Sequence, residues 1–142
     1  MISVSTLISL VSLCIAVASF IYTWHFNRYS IFVDSQESEV IDDQKYYSFV
    51  ISNCSSRMLV INNVELLDNS GRLIEDNGYV FAKSGDIYSS PEWNSQPFQK
   101  PVNLLPYSDI SFSYYLDEYP AQIKVTTNHR INGLRYSQTF NA

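Results

Sequence analysis

Arg130 and Arg135 flank Asn132-Gly133, the strongest two-residue turn signal in the chain, because both central positions tolerate positive φ. Closed as a two-residue loop, this turn sets Ile131 opposite Leu134, His129 opposite Tyr136 and Val125 opposite Phe140, all on one apolar face. The same pairing sets Arg130 directly opposite Arg135 on the other face. Like charges in that relation cost a ladder about 0.2–1 kcal/mol. A pair held there could fork a phosphate, a carboxylate or an acidic partner segment. The plainer alternative is that both side chains splay into water.

Other reactive residue types are sparse. The two histidines are His25, beside an apolar stretch, and His129, towards the end of a run of alternating residues. A zinc site needs more His or Cys ligands than this. Cys14 and Cys54 have no sequence-near base, and neither a Gly-x-Ser-x-Gly elbow nor a phosphate loop occurs. Asp42-Asp43 and Asp117-Glu118 are adjacent pairs, and adjacent side chains on a strand point to opposite faces. Catalysis has little support, so the expectation is a protein that is not an enzyme and needs no cofactor or metal. The run Asp34 to Asp43 holds five of the 14 acids and no base. It lacks the order of a calcium loop, and is expected to be a solvated connection between the first two strands.

Ser84 to Pro101 is the longest stretch without periodicity and carries Tyr88, Trp93 and Phe98. Long loops inside compact domains often carry function, and aromatic side chains on one suit recognition of a protein partner. The alternative is a loop folded back over an open edge of the fold, with Trp93 plugging the core.

The elements behind these residues read as strands. Ile110, Phe112, Tyr114 and Leu116 alternate with polar residues, as do Ala121 to Ile131 and Leu134 to Phe140. A period of two with one apolar face marks half-buried strands. Further runs lie at Tyr29–Val33, Tyr46–Asn53, Met58–Leu67, Arg72–Ile74 and Tyr79–Ala82. Seven or eight short strands in this length predict an all-β antiparallel sandwich, Ig-like in arrangement but without its cystine, over residues 28–142.

Residues 1–27 are of another kind. From Leu7 to Trp24, 14 of 18 residues are apolar, and no charge precedes Arg28. About 20 apolar residues in a helix cross the roughly 30 Å hydrocarbon core, and Tyr22, Trp24, Phe26 and Tyr29 cluster where rings favour the headgroup level. One N-terminal transmembrane helix is expected. Ala16-Val17-Ala18 resembles a signal-peptidase site, yet the tail before it lacks Lys and Arg, and the apolar run continues past it. Ser5, Ser9, Ser12, Ala16, Ser19 and Thr23 recur at alternating steps of four and three. That period lays them on one face, where small residues allow a close helix–helix contact, most simply a homodimer. The single flanking charge, Arg28, weakly favours a cytoplasmic domain.

The whole chain carries a net charge of −5, with only 16% of its 142 residues charged. A nucleic-acid binder needs a basic face, so no nucleic-acid partner is expected. The order of an uncharged anchor ending Ile21-Tyr22-Thr23-Trp24-His25-Phe26-Asn27-Arg28, then Tyr46-Tyr47-Ser48-Phe49-Val50-Ile51-Ser52-Asn53-Cys54-Ser55-Ser56, resembles small single-pass membrane-anchored proteins of Gram-positive bacteria and their prophages. Some of those proteins act in superinfection exclusion. The resemblance implies a membrane-tethered binding module in a host-interaction role. A second reading is an antiphage-defence effector whose cytosolic domain senses an anionic ligand at Arg130 and Arg135 and clusters the anchors.

Overall fold

The computed structural model describes residues 3–81 and 93–142. Its first element is a helix, α1 (Val4–Asn27), started by Ser3, whose side chain accepts the Thr6 N–H at 3.2 Å. Such a cap satisfies one of the free amide donors of the first turn. At 1.5 Å per residue, 24 residues extend about 36 Å. None of the helix's residues is buried, and it is long and apolar enough to cross a membrane.

Among the described residues eight antiparallel strands follow: β1 (Ile31–Ile41), β2 (Gln44–Asn53), β3 (Leu59–Leu67), β4 (Leu73–Ile74), β5 (Val102–Leu104), β6 (Asp109–Leu116), β7 (Gln122–Ile131) and β8 (Arg135–Asn141). One sheet has the order β1-β2-β6. The other runs β4-β3-β7-β8, with β5 also paired to β3. The expected all-β antiparallel sandwich is therefore present, preceded by one apolar helix.

Alternation explains the packing. Tyr47, Phe49 and Ile51 of β2 face inwards beside Phe112 and Tyr114 of β6, and meet Leu59, Ile61, Ile123 and Val125 of the other sheet. Phe49 sits 5.8–6.0 Å, ring to ring, from Tyr47, Phe112 and Tyr114. Burying one such ring contributes on the order of 2–3 kcal/mol before entropy is subtracted.

Three local expectations are corrected. The acidic run is not a connecting loop: β1 continues to Ile41 and pairs with β2, and only Asp42-Asp43 form the turn, both at positive φ. Asp34, Glu37 and Glu39 all stand exposed on an edge strand, and a bulge at Ser35 and Gln36 breaks its register. Charge and a bulge are how edges are kept from pairing with other chains. Tyr79 to Phe81 form no strand; the Tyr79 hydroxyl instead donates to Asp42 at 3.0 Å. The third correction is the β7–β8 register, in which Ile131 faces Arg135 and Val125 faces Gln138.

The cause of that shift lies outside the hairpin. Asn132 and Gly133 do take positive φ, but the Asn132 N–H is given to the Tyr29 carbonyl at 2.7 Å. Tyr29 bridges Ile131 in parallel, and the end of β7 is drawn towards the end of α1. A bulge between Thr126 and Ile131 absorbs the difference. Consequently Leu134 and Tyr136 do not face the core: they are 78% and 52% exposed.

Candidate functional site

Among the described residues, chain direction places each loop at one end of the sandwich or the other. The end next to α1 holds the β2–β3 loop (residues 54–58), the β5–β6 loop (105–108), the β7–β8 turn (132–134) and the helix–strand link (28–30). Asn53 organises it. This side chain is 2% exposed, and its amide donates to the carbonyls of Arg57, Leu104 and Leu105 at 2.8, 3.2 and 2.9 Å. Its oxygen accepts both the backbone N–H and the hydroxyl of Ser55. Two loops are thereby fixed by one residue.

The helix joins this end through a short link that itself makes contacts with the sandwich. Arg57 donates to the Asn27 side chain at 3.3 Å, the Cys54 N–H donates to the Ser30 carbonyl at 2.9 Å, and Tyr29 stacks on His129 with ring centroids 4.3 Å apart. An open cleft of about 320 Å³ lies between helix and hairpin, lined by Phe20, Thr23, Trp24, Asn27, Arg28, Tyr29, Arg130 and Gly133. Its lining is mostly apolar, with Arg28 and Arg130 as its charged members. Arg28 also lines a more polar cleft with His25, Ser30, Cys54, Ser56 and Tyr107.

Charge is divided between the two ends. Arg28, Arg57, Arg130 and Arg135 are all at the helix end, whereas Asp42, Asp43, Asp68, Asp76, Asp117 and Glu118 are at the other. Among the described residues none of those four arginines makes an ion pair, while Arg72 pairs with Asp68 and Lys124 with Glu65. Hydrogen bonds from Ser70 and Arg72 hold the Asp68 carboxyl well below the usual carboxylate range. This polarity was missed in the sequence, where the four arginines are scattered over more than a hundred residues.

The sequence candidates fall out as follows. Arg130 and Arg135 are not cross-strand partners: Arg130 lies 5.6 Å over the Tyr136 ring and lines the cleft with Arg28, and Arg135 borders a separate shallow depression with Leu134 and Gln138. The direct cross-strand pairing of the two arginines that the turn predicts is therefore absent. Trp93 packs edge-on against Tyr46, and its carbonyl accepts the Tyr115 hydroxyl at 2.6 Å. Phe98 leans on Phe112, and Gln96 pairs with Ser113, so this segment lies along the free edge of β6. Between it and the sheet is a polar cleft of about 210 Å³ lined by Tyr46, Ser48, Asn94, Gln96, Ser111, Phe112 and Ser113. Tyr88 lies outside the described residues. On α1, Ser5, Ser9, Ser12, Ala16, Ser19 and Thr23 are all exposed, and the Ser9 hydroxyl donates back to the Ser5 carbonyl at 2.9 Å. Thr23 is the member of that stripe that reaches the cleft.

Among the described residues, no group of three or more His, Cys, Asp or Glu side chains could hold a metal ion. No protein-family model and no curated protein matches this sequence.

Proposed function

We infer that this chain is a non-enzymatic, membrane-tethered binding module: α1 spans the bilayer once and the sandwich holds a protein partner at its surface. The short connection between α1 and the sandwich carries this reading. A three-residue link, a bridge at Tyr29 and a hydrogen bond from Arg57 keep the domain next to the helix end, so a partner bound to it is held close to the bilayer surface. The surface proposed for the partner is the cleft between Asn94 and β6, beside Trp93. Arg28 beside the span favours the cytoplasmic side. The resemblance to prophage-encoded single-pass proteins suggests one use, exclusion of a second phage's DNA.

Two readouts from one membrane preparation test this. Alkaline carbonate should leave the full 16.3 kDa chain in the membrane pellet. A photoreactive side chain at Asn94 should give one discrete heavier adduct. Release of the chain, or loss of residues 1–18, overturns the tether, and absence of an adduct overturns the partner surface.

A further inference from the structure

We propose that the helix end of the sandwich is a docking surface for the headgroups of anionic phospholipids in the bilayer that holds α1. This rests on the reading of α1 as a span. The first support is depth. A Cβ placed on Gly133 would lie 3.9 Å from the Trp24 indole nitrogen, and Phe20 lines the same cleft as Gly133 and Arg130. Phe20 precedes the helix end, Asn27, by seven residues, about 10 Å along the axis. The β7–β8 turn therefore descends alongside the last turns of α1. A tryptophan at the end of a span sits at headgroup level, which puts the turn in the same layer.

The second support is what this end presents there. Its loop tips are apolar: Met58, Leu105, Tyr107 and Leu134 are all exposed, one or two from each loop. Apolar side chains exposed on the end of the sandwich next to the span suit burial at the membrane interface. Around them stand Arg28, Arg57, Arg130 and Arg135, without ion pairs among the described residues. Among the described residues Asp109 is the acid nearest this end, since the others gather at the far end or along β1, β3 and β4.

The cleft completes the fit. Phe20 and Trp24 in its lining suit the upper part of an acyl chain, and Arg28 and Arg130 in the same lining bring positive charge for a phosphate. Aqueous anions would match the arginines but not the apolar tips. A protein partner would match the tips, but it would have to enter the headgroup layer to reach Leu134. The bilayer already lies there. Attraction of this kind is worth about fivefold in occupancy for each arginine near an anionic surface, and it is screened by salt.

The test uses the full-length chain in vesicles, with both native cysteines changed to serine and Leu134→Cys carrying a fluorophore. In vesicles of equal parts phosphatidylcholine and phosphatidylglycerol, bilayer-embedded quenchers should reach the label and aqueous iodide should not. With Arg130→Gln and Arg135→Gln together the docked-to-undocked ratio should fall about 25-fold, and in phosphatidylcholine alone, where all four arginines lose the attraction, by about 600-fold. A label on Glu118→Cys, at the far end, should stay open to iodide throughout. A Leu134→Cys label open to iodide in both lipids overturns the proposal, as does protection that ignores lipid charge or rises with protein concentration, which would mark an apolar contact or a second copy. Vesicles that float without the protein would instead overturn the spanning reading.

Discussion

Asn53→Leu is expected to destabilise the protein by about 3 kcal/mol, although leucine fills similar space. The native amide serves three carbonyls and its oxygen serves two donors of Ser55. Leucine supplies none of these, and a buried polar group left without a partner costs about 1–3 kcal/mol. Not all five interactions count in full, because the loops can relax towards solvent. For a domain of this size the change lowers Tm by roughly 10–20 °C. Asn53→Asp should do no better, since it keeps the acceptor for Ser55 but turns a carboxylate towards three carbonyls. Thermal unfolding followed by circular dichroism in micelles measures both. A Tm within a few degrees of wild type for Asn53→Leu would show that the two loops do not depend on this residue.

The second large effect is alkaline unfolding. Burial pushes the Tyr114 phenol up to about 12 from its usual 10.0, against the N–H of Phe98, which favours the phenolate by donating to it at 3.1 Å. The folded state therefore keeps a proton that the unfolded chain gives up near pH 10. Between about pH 10 and 12 the folded state binds more protons, so stability falls as pH rises. The stabilisation is fully present below pH 10 and gone above pH 12. Two pKa units correspond to about 2.7 kcal/mol for this one group. Tyr47 and Tyr115 are also raised to about 12 by burial, and they steepen the same transition. Phenolate absorbance should lag behind that of free tyrosine and rise together with loss of fold. Full ionisation near pH 10 with the fold intact would contradict the buried placement of these rings.

Much of this architecture is legible in the residues. Alternation along Asp109–Leu116 and Gln122–Ile131 reports strands, although in β6 Phe112 to Leu116 are buried on both faces and in β7 the burial pattern lapses over Asn128 to Arg130; the uncharged stretch before Arg28 reports a helix. Legibility fails where the deciding partner is distant. The Asn132-Gly133 turn is visible locally, but its register is set by the Tyr29 carbonyl, about a hundred residues earlier in the chain. β5 is three residues between Pro101 and Pro106, too short for a period to show. The outer half of β1 has only an edge to occupy, so its exposed positions carry acids and its pattern looks like a loop.

The site was less legible than the fold. Arg28, Arg57, Arg130 and Arg135 form no motif in sequence; the strand order alone gathers them beneath one end of the sandwich. Adjacency across a turn drew attention to Arg130 and Arg135 as a pair, yet the register sets Arg135 opposite Ile131, and Arg130 lines a cleft with Arg28.

The central claim, a spanning helix with the sandwich seated at the membrane surface, is tested most directly by the reactivity of the two native cysteines. Both thiols are exposed on the protein itself, Cys14 midway along α1 and Cys54 in the loop beside the helix end. Only a bilayer would distinguish them. In native membranes, with Cys14→Ser and Cys54→Ser chains as references, an impermeant maleimide should modify Cys54 after the cells are opened and leave Cys14 untouched until detergent is added. Equal reactivity of Cys14 and Cys54 in intact membranes would contradict the span, and labelling of Cys54 from outside unopened cells would place the domain on the opposite side.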